Sequence, residues 1–166
     1  MSTPITIRRA TPDDALSIVA IWQVIAAEKI YSAIDRPFTI EQERAYIASL
    51  TAREGMFVAE ANSALIGFQS LDLWSRFIHS MDKVGQIGTF VLPEWRGRGI
   101  GKQLAAHTLA FAREHQYEKI VIFVRASNTN AQKFYRSLGF RECGRFARQV
   151  KIAEQYDDEV LMELFL

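Results

Sequence analysis

Residues 84–115 read VGQIGTFVLPEWRGRGIGKQLAAHTLAFAREH and contain a strand pattern, a glycine-rich turn and a helix pattern, in that order. The β-branched and apolar residues from Val84 to Leu92 predict a buried strand. From Ile100 onward, apolar residues recur three and four positions apart, which predicts an amphipathic helix ending near His115. We therefore place this strand–turn–helix unit at the centre of the predicted fold.

The turn between this strand and this helix has the composition of an anion-binding site. It reads RGRGIGK from Arg96 to Lys102. Glycines let a ligand approach the backbone closely, and the first amides of a helix have no partner within the helix. The helix dipole is also positive at that end. The basic side chains of the turn add charge, so the sequence predicts a site for a phosphorylated ligand.

Three phosphate-binding patterns were compared with this turn. In a P-loop pattern, G-x-x-x-x-G-K-S/T, the Gly-Lys pair would come one residue early and Gln103 would replace Ser or Thr. In a dinucleotide pattern, G-x-G-x-x-G, the third glycine would fall on Lys102. The pattern R/Q-x-x-G-x-G/A is satisfied by Arg96, Gly99 and Gly101. An ordinary glycine-rich turn with solvated arginines is the alternative.

A second informative stretch lies further along the chain. The run KIVIFVR, from Lys119 to Arg125, predicts another buried strand because it is nearly continuously apolar. Residues 128–140 then read NTNAQKFYRSLGF. Asn128 or Asn130 can cap a short helix there, and Gly139 can end it.

Together these stretches resemble the GNAT superfamily of N-acetyltransferases. Residues from Val91 onward resemble V-x-P-x-Y/W-R-G-x-G-I-G, and residues 128–140 resemble N-x-x-A-x-x-F/L-Y-x-x-L/V-G-F. Two signatures in the right order are far more specific than either alone. The resemblance covers the chain from about Ile5 to its end and is weakest in residues 20–55 and 75–83, where the family chooses its substrates. It implies an α/β fold with a mixed, mainly antiparallel central sheet, flanked by helices, whose central strands splay apart.

The resemblance also implies acetyl-CoA as acetyl donor, bound between the strands near 84–92 and 119–125. The backbone of Thr89, Phe90 and Val91 would pair with the pantetheine arm, and the amides of residues 97–102 would hold the pyrophosphate. Asn128 would contact the pantetheine side, and Asn130 or Lys133 the outer part. The implied cofactor-binding residues are Thr89, Phe90, Val91, Arg96, Gly97, Arg98, Gly99, Ile100, Gly101, Lys102, Asn128, Asn130 and Lys133.

Tyr135 stands where the family places the acid that protonates the leaving CoA thiolate. A phenol suits this role because its reference pKa, about 10, keeps it protonated at neutral pH. The alternative is an aromatic side chain that only packs beside Phe134. The oxyanion of the reaction needs hydrogen-bond donors, for which a strand amide near Val91 is the expected source.

The general base stays open in the sequence. Many relatives have a carboxylate on the central strand, but residues 84–92 contain none. Phe123 stands where the ribosomal-protein N-terminal acetyltransferases have Glu, which weakens that particular interpretation. Glu28, Asp72 and His79 are candidate bases, and a water chain or an acceptor that arrives deprotonated would need none.

The remaining elements follow from caps, turns and periodicity. Thr11 with Asp14, and Thr39 with Gln42, have the spacing of capping boxes that open two helices. We expect a strand at residues 5–10, a second helix that Gly55 ends, a hairpin of residues 56–61 and 64–74, a loop at 75–83, and a long hairpin of residues 141–152 and 156–166 with its turn at 153–155.

Composition limits the protein's class. The 166 residues predict a single domain, residues 1–166, and a net charge of +1 argues against nucleic-acid or membrane binding. The single cysteine, Cys143, fits a reducing compartment. The start of the chain has no apolar signal core and the chain has no apolar run of membrane-spanning length, so we expect a cytoplasmic protein. The three histidines form no zinc pattern, and no metal is expected.

The expected function is transfer of acetyl from acetyl-CoA to the primary amine of a small molecule, such as an amino acid or a xenobiotic amine. Acetylation of a protein N-terminus or lysine is the first alternative. A CoA-binding sensor without turnover is the second. A homodimer is possible because dimers are common among relatives, although no residue in the sequence requires one.

Overall fold

A computed structural model describes residues 4–166, so the first three residues of the predicted domain lie outside the described residues. Eleven main elements follow one another along the chain. Their bounds are β1 Thr6–Arg9, α1 Ala15–Glu28, α2 Ile40–Ser49, β2 Gly55–Ala61, β3 Ala64–Leu73, β4 Val84–Val91, α3 Ile100–Glu114, β5 Lys119–Arg125, α4 Thr129–Ser137, β6 Arg141–Ile152 and β7 Gln155–Phe165.

One sheet contains all seven strands, in the order β1-β2-β3-β4-β5-β7-β6. Neighbouring strands are antiparallel except β4 and β5, which are parallel. These two strands pair only where Val84–Gln86 meets Lys119–Val121. Beyond Gln86 the remaining residues of β4 have no partner on β5, which opens the middle of the sheet. The predicted mixed, mainly antiparallel sheet with splayed central strands is confirmed.

The helices cover both faces of this sheet because its strands alternate their side chains between the two faces. On β2, Met56 and Val58 belong to the core formed with α1 and α2. Phe57 and Ala59 belong to the core formed with α3. A third core joins α3 and α4 to β5 and β7. Each fully buried apolar side chain contributes roughly 1.5–3 kcal/mol to folding.

Two hairpins close with two-residue turns in the left-handed backbone region. Asn62 and Ser63 have φ values of 50° and 62°, and Ala153 and Glu154 have values of 48° and 64°. Such turns match the right-handed twist of the strands that they join. The predicted turn at Asn62–Ser63 is confirmed, and in the second hairpin β7 begins at Gln155, one residue earlier than predicted.

Two predicted helix boundaries were wrong. Gly55 does not end α2 but begins β2. The helix stops at Ser49 because Leu50 is already extended, and a polar turn follows in which the hydroxyl of Thr51 donates to Glu54 at 2.9 Å. The first helix also starts later than predicted, since residues 12–14 form a single 3-10 turn before α1.

The capping residues themselves behave as predicted. The backbone N–H of Thr11 donates to Asp14 at 2.8 Å, and that of Gln42 donates to the hydroxyl of Thr39 at 3.2 Å. The carboxylate of Asp14 also accepts hydrogen bonds from both terminal nitrogens of Arg8, at 2.7 and 2.8 Å. This pair therefore ties β1 to the start of α1. Within residues 4–166, no helix has the length and apolar character needed to cross a membrane.

Candidate active site

A cleft of about 640 Å³ lies where β4 and β5 separate. Residues from β4, from the glycine-rich turn, from the start of α3 and from α4 form its walls. Among the predicted cofactor-binding residues, those that line it are Thr89, Phe90, Val91, Arg96, Gly97, Gly99, Ile100, Gly101, Lys102, Asn128 and Asn130. Tyr135 lines it as well. Arg98 and Lys133 do not, so the structure leaves these two predicted residues outside the cleft.

The glycine-rich turn presents backbone to this cleft. Gly97 and Gly99 have φ values of +74° and +81°, a conformation that side chains disfavour, and apart from their chain neighbours no atom of residues 4–166 lies within 4 Å of where their Cβ atoms would be. Gly99 is the N-cap of α3, and no side chain of the described residues caps the helix. The first amides of α3 are therefore available to a ligand. This open cradle at a helix N-terminus fits the pyrophosphate of a CoA thioester.

Arg96 is engaged within the protein. Its guanidinium makes a two-pronged ion pair with the carboxylate of Glu28, at 2.7 and 2.6 Å, and its Nε donates to the carbonyl of Val91 at 2.9 Å. The same guanidinium lies 4.8 Å from the ring centre of Tyr31. Arg96 thus joins the end of α1 to the end of β4 and forms a wall of the cleft. The guanidinium of Arg98 instead lies over the ring of Trp95, at 5.1 Å.

Tyr135 is held in the cleft by a hydrogen bond from α4 to β4. Its side chain is 4% exposed, and its hydroxyl donates to Oγ1 of Thr89 at 2.8 Å. The amide Nε2 of Gln69, which faces Thr89 on the neighbouring strand, donates to the same oxygen at 2.6 Å. Burial raises the pKa of Tyr135 to about 12, against a smaller lowering by the Thr89 hydrogen bonds. The phenol therefore keeps its proton at neutral pH.

A second pocket, of about 510 Å³, lies between β3, β4 and the first two helices. Its floor consists of the cross-strand pairs Phe68–Phe90, Ser70–Gly88 and Asp72–Gln86. Phe90 lines both this pocket and the cleft, so the two spaces meet at that residue. We call the second space the aromatic pocket.

Aromatic rings form much of the wall of this pocket. The ring of Trp22 lies 5.6 Å from that of Phe38, 5.1 Å from that of Phe68 and 4.3 Å from that of Phe90. Phe38 and Ile34 come from the segment that connects α1 and α2. This segment therefore supplies part of the pocket wall.

Two carboxylates line the aromatic pocket. Oε2 of Glu43 accepts from Nε1 of Trp22 at 3.2 Å, whereas Oε1 is buried and has no hydrogen-bond partner among residues 4–166. Oδ1 of Asp72 accepts from the hydroxyl of Tyr46 at 2.6 Å. Burial raises the pKa of both carboxyls above their usual range. The pocket therefore holds two acidic groups that are poorly compensated by their surroundings.

The three candidate bases occupy different environments. Both oxygens of Glu28 accept hydrogen bonds from Arg96. His79 is exposed in a single 3-10 turn and lines neither space. Asp72 alone of the three lines the aromatic pocket. In residues 4–166, no group of three or more His, Cys, Asp or Glu residues is arranged to hold a metal ion.

Glu43 was not among the residues predicted from the sequence, although its position in α2 is a signal of burial. Glu43 lies on the stripe of Ile40 and Ile47 on α2, at the three- and four-residue spacing of a core-facing position. A carboxylate at such a position is rarely fully buried without a partner. Gln69 gave a weaker signal, because its contact with Thr89 depends on the pairing of β3 with β4.

Comparison with known proteins agrees with this architecture. A sequence profile described as the acetyltransferase (GNAT) family matches residues 19–140. An uncharacterised N-acetyltransferase of Archaeoglobus fulgidus is 33% identical over 139 residues, which cover 81% of this chain and 92% of the relative. An aminoglycoside N(6')-acetyltransferase type 1 of Stenotrophomonas maltophilia is 30% identical over 145 residues, which cover 84% of this chain and 88% of that protein.

Solved structures share the fold. A GNAT superfamily phosphinothricin acetyltransferase of Sinorhizobium meliloti, in complex with acetyl-CoA, superposes with a TM-score of 0.89 at 20% identity and covers 98% of this chain and 88% of its own. The family match, together with the shared fold, identifies the chain as an acyltransferase. The chain belongs to the acetyltransferase (GNAT) family. It is an N-acetyltransferase whose acetyl donor is acetyl-CoA, as the resemblance implied.

Proposed function

We propose that this protein transfers the acetyl group of acetyl-CoA to the amine nitrogen of a small molecule, by direct attack of the amine. The observation that carries the proposal is the junction of the two spaces at Phe90. The cleft offers a helix N-terminus to a phosphorylated donor, and the aromatic pocket offers a separate space of about 510 Å³ to an acceptor. A donor and an acceptor that enter from these two sides would meet beside β4.

The donor side is assigned to the backbone of the turn and of β4. The amides at the start of α3, together with the ammonium of Lys102, would hold the pyrophosphate. The exposed backbone of Thr89 and Phe90 would pair with the pantetheine arm, while the carbonyl of Val91 already accepts from Arg96. When bound, acetyl-CoA supplies a thioester carbonyl that an amine can attack. The side chain of Arg96 is assigned a positioning role rather than a direct contact with phosphate.

Tyr135 is assigned as the proton donor to the leaving thiolate. Tyr135 lines the cleft, and its raised pKa keeps the proton on Oη at neutral pH. The hydrogen bond to Thr89 fixes the direction of the hydroxyl in the resting protein. A positioned acid of this kind contributes typically 10²–10⁴-fold to the rate.

Asp72 is assigned as the group that accepts the proton of the acceptor amine. It lines the aromatic pocket, where an acceptor would bind. A protonated amine has no lone pair with which to attack, so a base or a deprotonated acceptor is required. Burial raises the pKa of Asp72, which makes its carboxylate a stronger base than an exposed one.

The size of the aromatic pocket, about 510 Å³, suits a small acceptor. Ile34 and Phe38 from the connecting segment, together with Trp22 and Met56, line the space. The named activity of the Stenotrophomonas relative, acetylation of an aminoglycoside, also supports a small-molecule acceptor.

The test is the release of CoA thiol from acetyl-CoA in the presence of small primary amines and of short peptides with a reactive N-terminus or lysine. We expect amine-dependent thiol release with at least one small amine, and an N-acetylated product by mass spectrometry. Release that requires peptides would overturn the small-molecule assignment. Failure of every amine and peptide to accelerate release would overturn the proposed transfer reaction.

A further inference from the structure

The charge of the aromatic pocket is one-sided. Its ionisable lining residues are Glu43, Asp72 and Tyr46, and within residues 4–166 no Lys, Arg or His lines it. An acceptor with a carboxylate or phosphonate would therefore place its negative charge among acidic groups, without a cation to pair with it. Like charges at close range repel one another. Acid-bearing acceptors such as amino acids are disfavoured by this arrangement.

Glu43 indicates what the pocket attracts. Glu43 is 3% exposed, and in the part of the chain that the structure describes no donor reaches its Oε1. A buried acceptor atom without a partner is costly to the folded protein. Glu43 lines the aromatic pocket, which meets the donor cleft at Phe90. An ammonium bound there would compensate the negative charge of Glu43, and its N–H would reach Oε1 once the carboxylate turns toward the pocket.

The walls of the pocket specify the rest of the ligand. The rings of Trp22, Phe38, Phe68 and Phe90 line the pocket and make its wall apolar. Aromatic walls bury aromatic or aliphatic groups well and also attract cations. A polyhydroxylated sugar ring would lose hydrogen bonds to water against these walls without regaining them.

We propose that the acceptor is an amine with an aromatic or aliphatic body and no acid group, and that Glu43 selects it by binding the cationic nitrogen at Oε1. This inference rests on the proposed function and names the substrate class of the same site. Glu43 is here a specificity-determining residue, distinct from Asp72, which faces the pocket from β3.

The test uses three probes that differ in one group: 2-phenylethylamine, phenylalanine, which adds a carboxylate, and 2-phenylethanol, which lacks the charge. Calorimetry measures the affinity of each for the wild-type protein and for Glu43→Gln. Glutamine keeps an oxygen for Trp22 and removes the charge. Glu41→Gln is the matched control, because this glutamate is exposed on the same helix.

We expect the wild type to bind the amine at least tenfold more tightly than phenylalanine. Glu43→Gln should weaken binding of the amine by about tenfold to hundredfold, the range of a hydrogen bond to a charged group, and leave the alcohol unchanged. Glu41→Gln should change neither. Equal losses for amine and alcohol would mean that Glu43 is only structural, and a preference for phenylalanine or for an aminoglycoside such as kanamycin would overturn the substrate class.

Binding and turnover separate this inference from the function on which it rests. Selective binding of 2-phenylethylamine that depends on Glu43, without any release of CoA, would contradict the proposed transfer and leave the selectivity intact. Release of CoA with phenylalanine and not with 2-phenylethylamine would support the transfer and overturn the selectivity.

Discussion

Replacement of Tyr135 by Phe tests the acid assignment with little disturbance of the fold. The change removes one oxygen and keeps the ring, which packs edge-on against Phe134 and Phe140 at centroid distances of 5.0 and 5.4 Å. Thr89 keeps its hydrogen bond from Gln69, so the change does not leave the Thr89 hydroxyl without a partner. The free energy of unfolding should fall by only about 0.5–1.5 kcal/mol, the usual contribution of one hydrogen bond.

The effect on catalysis should be much larger. If the hydroxyl protonates the leaving thiolate, its loss should lower kcat by roughly 10²–10⁴-fold, which corresponds to about 3–5 kcal/mol in the barrier. The affinity for acetyl-CoA, measured by calorimetry, should change less than threefold. Thiol release under saturating donor and amine gives kcat directly.

Tyr117 provides the matched control. It is also a buried tyrosine, its hydroxyl donates to the carbonyl of Arg53 at 2.9 Å, and burial raises its pKa to about 12. It lines neither the cleft nor the aromatic pocket. Tyr117→Phe should therefore lower stability to a similar extent and leave kcat unchanged. A full kcat in Tyr135→Phe, or equal losses in the two variants, would refute the acid assignment.

Three further changes probe the glycine-rich turn, the aromatic pocket and the ion pair between Arg8 and Asp14. Gly99→Ala places a side chain at φ +81° and should cost about 1–2 kcal/mol in thermal unfolding; an unchanged Tm would show that the turn relaxes. In urea unfolding, Glu43→Gln should be more stable than the wild type above about pH 5. The reason is that burial raises the pKa of Glu43 in the folded protein, so the wild type loses stability as the pH rises above the ordinary carboxyl pKa. Parallel pH profiles of stability for the two proteins would contradict this. Arg8 lowers the pKa of Asp14 to about 2, so the pair stabilises the fold above about pH 4 and the benefit is lost as pH falls toward 2. Asp14→Asn should cost about 1–2 kcal/mol at pH 7 and almost nothing at pH 2, and an equal cost at both values would exclude the ion pair as the cause.

Local patterns in the sequence were enough to predict the centre of the fold. The β4–turn–α3 unit is encoded by apolar periodicity and by glycines at positions that need a left-handed backbone, all within residues 84–115. The capping boxes at Thr11 and Thr39 are equally local, since each needs only a spacing of three residues. The splayed sheet was expected through the family resemblance, because no local pattern reveals where two distant strands stop pairing.

Contacts between distant parts of the chain were harder to predict. The ion pair between Arg96 and Glu28 joins residues 68 positions apart, and it engages a guanidinium that was expected to bind the cofactor. Tyr135 reaches Thr89 across 46 positions. Such partners depend on helix packing against the sheet, which periodicity does not specify. The aromatic pocket likewise exists only because β3 and β4 pair in the register that aligns Asp72 with Gln86.

The central claim is that the cleft between β4 and β5 binds the acetyl donor through the turn and the start of α3. Calorimetric titration with acetyl-CoA tests it most directly, with Lys102→Met as the variant and Lys133→Met as the control, because Lys102 lines the cleft and Lys133 does not. We predict a single site for the wild type, affinity lowered about twofold to fivefold in Lys102→Met, as for a solvent-screened charge pair, and no change in Lys133→Met. No heat of binding at high micromolar acetyl-CoA, or equal losses in both variants, would contradict the account.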